Sequence, residues 1–441
     1  MRKLNKKSWF GAFFALALIV IFGLPGVAHG AAFSGIGSGT EADPYIITTP
    51  AQLNEVRNFL GSEIHFRLGN NIDLEAYLAP GGAGYAKWGA EGWEPIGNRD
   101  NFFIGSFDGN GHKITGLWIY RRTAHAGLFG VTSATIKNLG VEIAAAGVRG
   151  MTNVGGLAGV HVLSSITNSY VMGDVRGGAA VGGLVGMQYH GSSITNSHAT
   201  GNVSGYREIG GLVGRQDRSS ITSSFATGNV SSAIHRGRGG GGLVGVQFWG
   251  GSITNSYATG DVSGYGEIGG LVGQIMGSSI INSYATGDVS GYGEIGGLVG
   301  VQRTGSIANS FATGDVSGFH GVGGLAGVLC YHGGSITNSF ATGNIHAAGL
   351  FGGLVGEQRR GSNITNSFRY QFATANNVVL PASDPNGRHG GILTANQLMT
   401  QATYSDNGWE FAPSGPWHWD DRGFPKLNIG TETFPFNFSP M

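Results

Sequence analysis

The chain has 441 residues, with 26 basic and 26 acidic side chains and a charged fraction of only 12%. Balanced charge gives no global electrostatic preference for nucleic acid. Its 83 glycines lack a three-residue period, which excludes collagen, and the 41% of apolar residues recur in register, which excludes disorder.

Residues 1–30 read as a secretory signal. Arg2, Lys3, Lys6 and Lys7 make a positive start, Trp9 to Leu24 an apolar run, and small residues come next in Val27-Ala28-His29-Gly30-Ala31. The run is near the lower length for a membrane span, but Pro25 and the small residues favour cleavage after Gly30 or Ala31. No transmembrane segment is expected after cleavage, and no Leu-Pro-x-Thr-Gly sorting signal is present. A secreted chain, released or held at the cell surface without a covalent link, is the expectation.

Residues 32–126 form a lead-in. Thr48-Thr49-Pro50, followed by Ala51 to Arg57, reads as a short helix with a threonine cap and proline in its first turn. Strand-like pieces come after it at Ile64–Leu68 and Gly105–Phe107. A solenoid must close its first coil against water, so an N-terminal cap is the natural role. Trp88, Trp93, Phe102 and Phe103 then cover the end, or alternatively line a ligand cleft.

From 127 to 372 one stretch recurs: Gly-Gly-Leu-Val-Gly, then Ser-Ile-Thr-Asn-Ser-Tyr-Ala-Thr-Gly-Asp-Val-Ser-Gly. Its leucines are Leu157, Leu184, Leu212, Leu243, Leu271, Leu298, Leu325 and Leu354, with steps of 27, 28, 31, 28, 27, 27 and 29 residues; Leu128 adds one copy before them. Such a period means a stacked repeat. Its runs are short, β-prone and broken by Gly and Asn, so helices of ten residues are excluded. Three short strands and three turns use roughly one coil of about 22–30 residues. The expected fold is all-β, a right-handed parallel β-helix of about nine coils, stacked at ~4.8 Å into a rod roughly 40 Å long. A propeller is the other architecture, but its blades need ~40 residues.

After 372 the repeat fades, and residues 373–441 are expected to cap the last coil. Gly390 to Met399 reads as a short helix, followed by Trp409, Phe411, Trp417, Trp419 and Phe424. The one cysteine, Cys330, permits no intramolecular disulfide and reads as a buried thiol.

The recurring Gly-Gly-Leu-Val-Gly…Ile-Thr-Asn-Ser-Tyr…Gly-Asp-Val resembles the GLUG motif of bacterial secreted and surface proteins. Gly39-Thr40-Glu41-Ala42-Asp43-Pro44-Tyr45, Asn71-Ile72-Asp73-Leu74 and Phe107-Asp108-Gly109-Asn110-Gly111 resemble that group's lead-in. The resemblance implies an extracellular, adhesin-like β-helix and names no single activity.

Equivalent positions in successive coils stack as columns. Ile166, Ile194, Ile221, Ile253, Ile280, Ile307, Ile336 and Ile364 should point inward, as should Val175, Val203, Val230, Val262, Val289, Val316 and Ile345. Asn168, Asn196, Asn255, Asn282, Asn309, Asn338 and Asn366, interrupted by Ser223, form a ladder suited to left-handed bends. Tyr170, His198, Phe225, Tyr257, Tyr284, Phe311, Phe340 and Phe368 share parity with a threonine column and with Asp174, Asn202, Asn229, Asp261, Asp288, Asp315 and Asn344. If the intervening Ser and Ala face inward, this is an outer face fit for sugar; one bulge would turn the rings inside. Asp261, Asp288 and Asp315 would repel, which calls for water or a cation such as calcium as a screen. No RTX-type or EF-hand loop is present, and no cofactor or resident metal is expected.

The turn between the Gly-Leu-Val-Gly strand and the Ser-Ile strand breaks the template with bulky side chains. Tyr189, His190, Arg218, Phe248, Trp249, Arg303, Tyr331 and His332 are the candidate ligand-binding residues, and a polysaccharide or cell-surface glycan is the expected partner. A bare solvated edge is the competing reading. There is no His-Glu-x-x-His, Gly-x-Ser-x-Gly or phosphate loop. Two functions stay open: an adhesin-like binding scaffold, or a polysaccharide lyase or glycosidase drawing on Tyr189, His190, Arg215 and Arg218. Catalytic residues and oligomeric state are not legible.

Overall fold

The computed structural model describes residues 32–233, 239–330, 333–370, 374–376, 378–380, 384–411, 415–419 and 425–427. The signal expected at 1–30 and the candidates Tyr331 and His332 lie outside the described residues.

The repeat region is a parallel β-solenoid of about nine coils. One coil runs through Ser252–Thr254, Tyr257–Ala258, Val262–Gly264, Ile268–Gly269 and Val272–Met276. A coil thus holds five short strands where the sequence suggested three, because Asn and Gly corners end each run after two to five residues. Every strand pairs in parallel with its equivalents, as Ile253 does with Ile221 and Ile280. The Ser-Ile-Thr sheet has twelve strands and takes in three from the lead-in, Tyr45–Ile47, Glu63–Leu68 and Ile104–Asp108. The lead-in is therefore built partly of incomplete coils. Its helix is Pro50–Glu55, and the Thr49 hydroxyl accepts from the Gln52 N–H at 3.2 Å. Beside it the Arg57 guanidinium lies between Trp88 and Trp93, 5.2 and 5.3 Å from their rings. Trp93 is fully buried, and half-buried Trp88 packs against it edge-on at 5.2 Å.

The Leu, Ile and Val columns are all buried. Between them the coil is very thin. A Cβ built on Gly183, Gly211, Gly242, Gly270, Gly297 or Gly324 would meet the Cβ of Ala199, Ala226, Ala258, Ala285, Ala312 or Ala341 at 2.7–3.0 Å. Two walls touch there through glycine and alanine alone. At the last coil Arg369 stands in register with Ala341, and its buried guanidinium donates to the Leu380 carbonyl at 3.1 Å.

Polar ladders complete the interior. The corner asparagines sit at φ 47–51°, with Ser223 at 48°, and amides of adjacent coils bond at 3.2–3.3 Å in three places. The next residue is a buried serine whose Oγ donates to the carbonyl two residues back, as Ser256 does at 2.8 Å. That same Oγ accepts the N–H of the preceding coil's serine, here Ser224 at 3.2 Å. A third ladder runs through glutamines, at positions where the sequence suggested no inward polar group. Gln188, Gln216 and Gln302 are buried, and each donates through Nε2 to two backbone carbonyls at 2.8–3.2 Å.

His161 stands in register with Gln188 at the start of this ladder. Its Nε2 lies 2.9 Å from Ser164 Oγ, and burial pulls its pKa from 6.5 to about 3.

The aromatic column lies outside, as parity suggested, because the alanine between ring and threonine points in. From Tyr170 to Phe340 the rings stack face to face at 4.6–5.3 Å, with interplanar angles of 3–11°. The C-terminal segment lies along this column rather than only over the last coil. Tyr404 meets Phe368, Trp409 meets Phe368 and Phe340, and Trp417 meets Phe340 and Phe311. The helix expected over 390–399 is shorter, Ala395–Leu398, because Gly391–Leu393 pairs as a strand with Phe368–Tyr370.

This packing sets two measurable outcomes. Gly214→Ala would set a Cβ 2.3 Å from the Val181 nitrogen, and should cost several kcal/mol, about 3 or more. Gly191→Ala, at φ 76° with open space around it, should cost only about 1 kcal/mol. Urea midpoints measured on both variants check the ranking; equal midpoints would contradict it. The second outcome concerns acid. The unfolded chain protonates His161 first, so stability should fall as pH drops from about 6.5 towards 3, by up to about 1.4 kcal/mol per unit. His161→Gln should flatten that loss, read as the midpoint difference between pH 7 and pH 4.5; an identical loss in both proteins would remove His161 as its source.

Candidate binding surfaces

The strand preceding the variable turn alternates unequally. In Val185–Tyr189 the side chains of Val185 and Gln188 are buried, while Met187 and Tyr189 pack in a separate apolar patch with Val160 and Val162. The same strand one coil on presents Arg215 and Asp217, and the next presents Phe248. Arg215 holds its guanidinium 4.7 Å over the Phe248 ring, 3.7 Å from Asp217 and 4.0 Å from Glu208. Phe248 is only 2% exposed. Its ring lies under the Arg215 guanidinium and is closed to a ligand.

The next residue in each coil begins the turn. Leu163, His190, Arg218 and Trp249 occupy this position in four successive coils, at φ 54, 57, 48 and 50°. Gly277 takes it in the following coil, at φ 70°. The left-handed backbone suits glycine and costs a larger side chain roughly 1–2 kcal/mol. All four side chains project into solvent, with Trp249 55% exposed. His190 and Tyr189 touch, with ring centroids 4.2 Å apart. A shallow groove of about 460 Å³ adjoins the Leu163 end, lined by Glu63, Thr135, Leu163, Ser165 and Ser193.

The structure thus brings His190, Arg218 and Trp249 into one line, with Tyr189 at its flank. Arg303 lies two coils beyond Trp249, exposed but bonded to Glu267 Oε1 at 3.1 Å. Arg215, a candidate for neutralising a uronate, is already engaged by two carboxylates. Among the described residues no three His, Cys, Asp or Glu side chains gather as a metal site. The aspartate column is screened by backbone: Asp261 Oδ1 accepts the Asp288 N–H at 2.9 Å, and Asp288 Oδ1 accepts the Asp315 N–H at 2.8 Å. Repulsion between these carboxylates is therefore offset without a cation.

A further outer column is absent from the candidates that the repeat pattern suggested. Tyr206, Tyr265, Tyr292 and Phe319 are exposed, and Tyr292 and Phe319 stack at 4.8 Å. Their recurrence after Val-Ser-Gly is visible in the repeat.

Comparison with known proteins finds one family and a few partial relatives. The family described as the GLUG motif matches residues 177–204, 205–231, 237–263, 264–290 and 291–317. A protein of Evansella cellulosilytica, named as a Gly-rich membrane protein, is 37% identical over 222 residues, which is 42% of this chain and 25% of the relative. Halomucin of Haloquadratum walsbyi is 36% identical over 157 residues, 34% of this chain and 2% of that protein. The chain spans a quarter or less of either relative. A crystal structure of a Bacteroides ovatus protein described as an immunoglobulin A1 protease covers 89% of this chain and 94% of its own, at 20% identity and a TM-score of 0.38. So loose an overlay says nothing about activity. Among the described residues no helix is long and apolar enough to cross a membrane.

Proposed function

From a chain that carries five GLUG motifs on a parallel β-solenoid, we propose an extracellular, adhesin-like scaffold that binds an extended acidic glycan along the turn line His190–Arg218–Trp249. The observation that carries this reading is the use of the left-handed turn position. Glycine suffices there, yet three adjacent coils place imidazole, guanidinium and indole side chains in solvent. An indole outside the inter-coil ring columns keeps a face for sugar C–H groups, and arginine offers paired donors to a carboxylate. Coils recur at ~4.8 Å, so the line spans about 10 Å, roughly two sugar units. The basic start and apolar run of residues 1–30 support export, and surface retention would match the name of the Evansella relative, a Gly-rich membrane protein.

The test is affinity electrophoresis of the secreted protein through gels holding a polyuronate or a neutral glucan. Retention by the polyuronate is expected. Trp249→Ala and Arg218→Ala should each weaken it about tenfold, a loss of about 1.4 kcal/mol. No new reducing ends should appear. Unchanged retention in both variants, or no retention of the parent, sinks the proposal; release of products would instead favour a lyase or hydrolase.

A further inference from the structure

The groove beside Leu163 continues the turn line along the rod. It crosses five neighbouring strands of the Ser-Ile-Thr sheet: Glu63–Leu68, Ile104–Asp108, Thr135–Lys137, Ser165–Thr167 and Ser193–Thr195. Strand register fixes the alignment. Ser106, Thr135, Ser165, Ser193 and Ser220 form one row of paired positions. Leu163 and Arg218 each stand two residues ahead of this row, and so does Ile104, the partner of Glu63. Glu63, Leu163 and Arg218 thus share one column, and groove and turn line are one continuous edge. At ~4.8 Å per coil, the path from Glu63 to the coil of Trp249 is about 29 Å, room for roughly six sugar units.

The chemistry changes along this edge. His190 and Arg218 make the turn line basic, whereas Glu63 is the one ionisable side chain lining the groove. It is exposed, and among the described residues its carboxylate has no ion pair or hydrogen bond. The hydroxyls of Thr135, Ser165 and Ser193 face outward, because the isoleucine after each is buried. These hydroxyls too are unbonded among the described residues. Exposed Leu163 gives the groove an apolar rim. A carboxylate entering here would meet the like charge of Glu63, while a hydroxyl or amide N–H would find an ionised acceptor.

On the premise that the turn line binds an acidic glycan, we propose that groove and turn line form one extended site for a heteroglycan. A uronate lies at His190 and Arg218, and an uncharged sugar donates hydroxyl or amide hydrogens to Glu63. Leu163 packs against sugar C–H groups between them, and the serine and threonine hydroxyls bond to ring substituents. Glu63 turns away a second carboxylate. A plain polyuronate therefore fills the turn line but not the groove, and the preferred ligand is a polymer of mixed units.

The full chain is titrated calorimetrically with a disaccharide and a hexasaccharide in which glucuronate alternates with N-acetylglucosamine, and with a hexauronate. The mixed hexamer should bind at least about tenfold tighter than its dimer and at least about threefold tighter than the hexauronate. Glu63→Lys should reverse the second preference. Ser165→Gln/Ser193→Gln, which fills the groove from outward positions and should keep the parent's circular dichroism, should erase the gain of hexamer over dimer. Equal affinities for mixed hexamer and dimer, or a preference that Glu63→Lys leaves unaltered, overturn the proposal. Dimer binding that Arg218→Ala weakens would in that case keep the turn line as a site without the groove. If no oligosaccharide binds, turn line and groove fall together.

Discussion

The close approach of two coil walls governs the rest of this structure. Gly242 faces Ala258 across a gap in which a Cβ would lie 2.7 Å from its neighbour, and the same contact recurs in six coils. No aromatic ring can enter such a space. The residue before each alanine must therefore carry its ring outside, where rings one coil apart stack at the coil spacing. An exposed apolar column of that length needs covering, and the C-terminal segment supplies tryptophan, tyrosine and leucine for it. Thin core, external ladder and returning strap form one causal chain.

The same economy of space explains the polar ladders. Five short strands per coil mean five bends, and each bend leaves backbone groups that the flat strand pairing does not satisfy. Asparagine at φ near 50° makes one corner, buried serine satisfies the next N–H, and glutamine bridges carbonyls at the opposite corner. The Asp and Asn column uses its side-chain oxygens in the same way. A carboxylate that accepts a backbone N–H from the next coil gains a charge-assisted bond, which offsets repulsion between Asp261, Asp288 and Asp315.

Much of this was legible because a repeat compares the chain with itself. Invariant Ile, Val and Leu columns had to be core, and recurring Asn before Ser had to be a left-handed corner. The glutamine ladder was missed for a physical reason: a buried amide is not visible in a pattern of apolar positions, and only bonds to backbone carbonyls make Gln188 and its equivalents core residues. Strand count was misjudged because a two-residue strand such as Ile268–Gly269 is too short to show in any periodic pattern. Phe248 looked like a ligand contact because nothing local shows that its ring lies beneath Arg215, one coil away and 33 residues earlier. Long-range covering of the rings by Trp409 and Trp417 left no local trace at all.

Ring stacking also bears on where recognition can occur. A sugar packs its C–H groups on the face of an aromatic ring, and in the long column those faces are spent on neighbouring rings, leaving edges. The Tyr292–Phe319 pair is committed in the same way. Trp249 differs: its one ring neighbour among the described residues is Phe248 of its own coil, 6.4 Å away, and its turn position is filled by leucine, histidine, arginine and glycine in neighbouring coils, so it joins no ladder along the rod. Regular columns hold the solenoid together by consuming the very surfaces that recognition needs. The binding that we propose therefore sits where the repeat is broken, at residues that no coil above or below repeats.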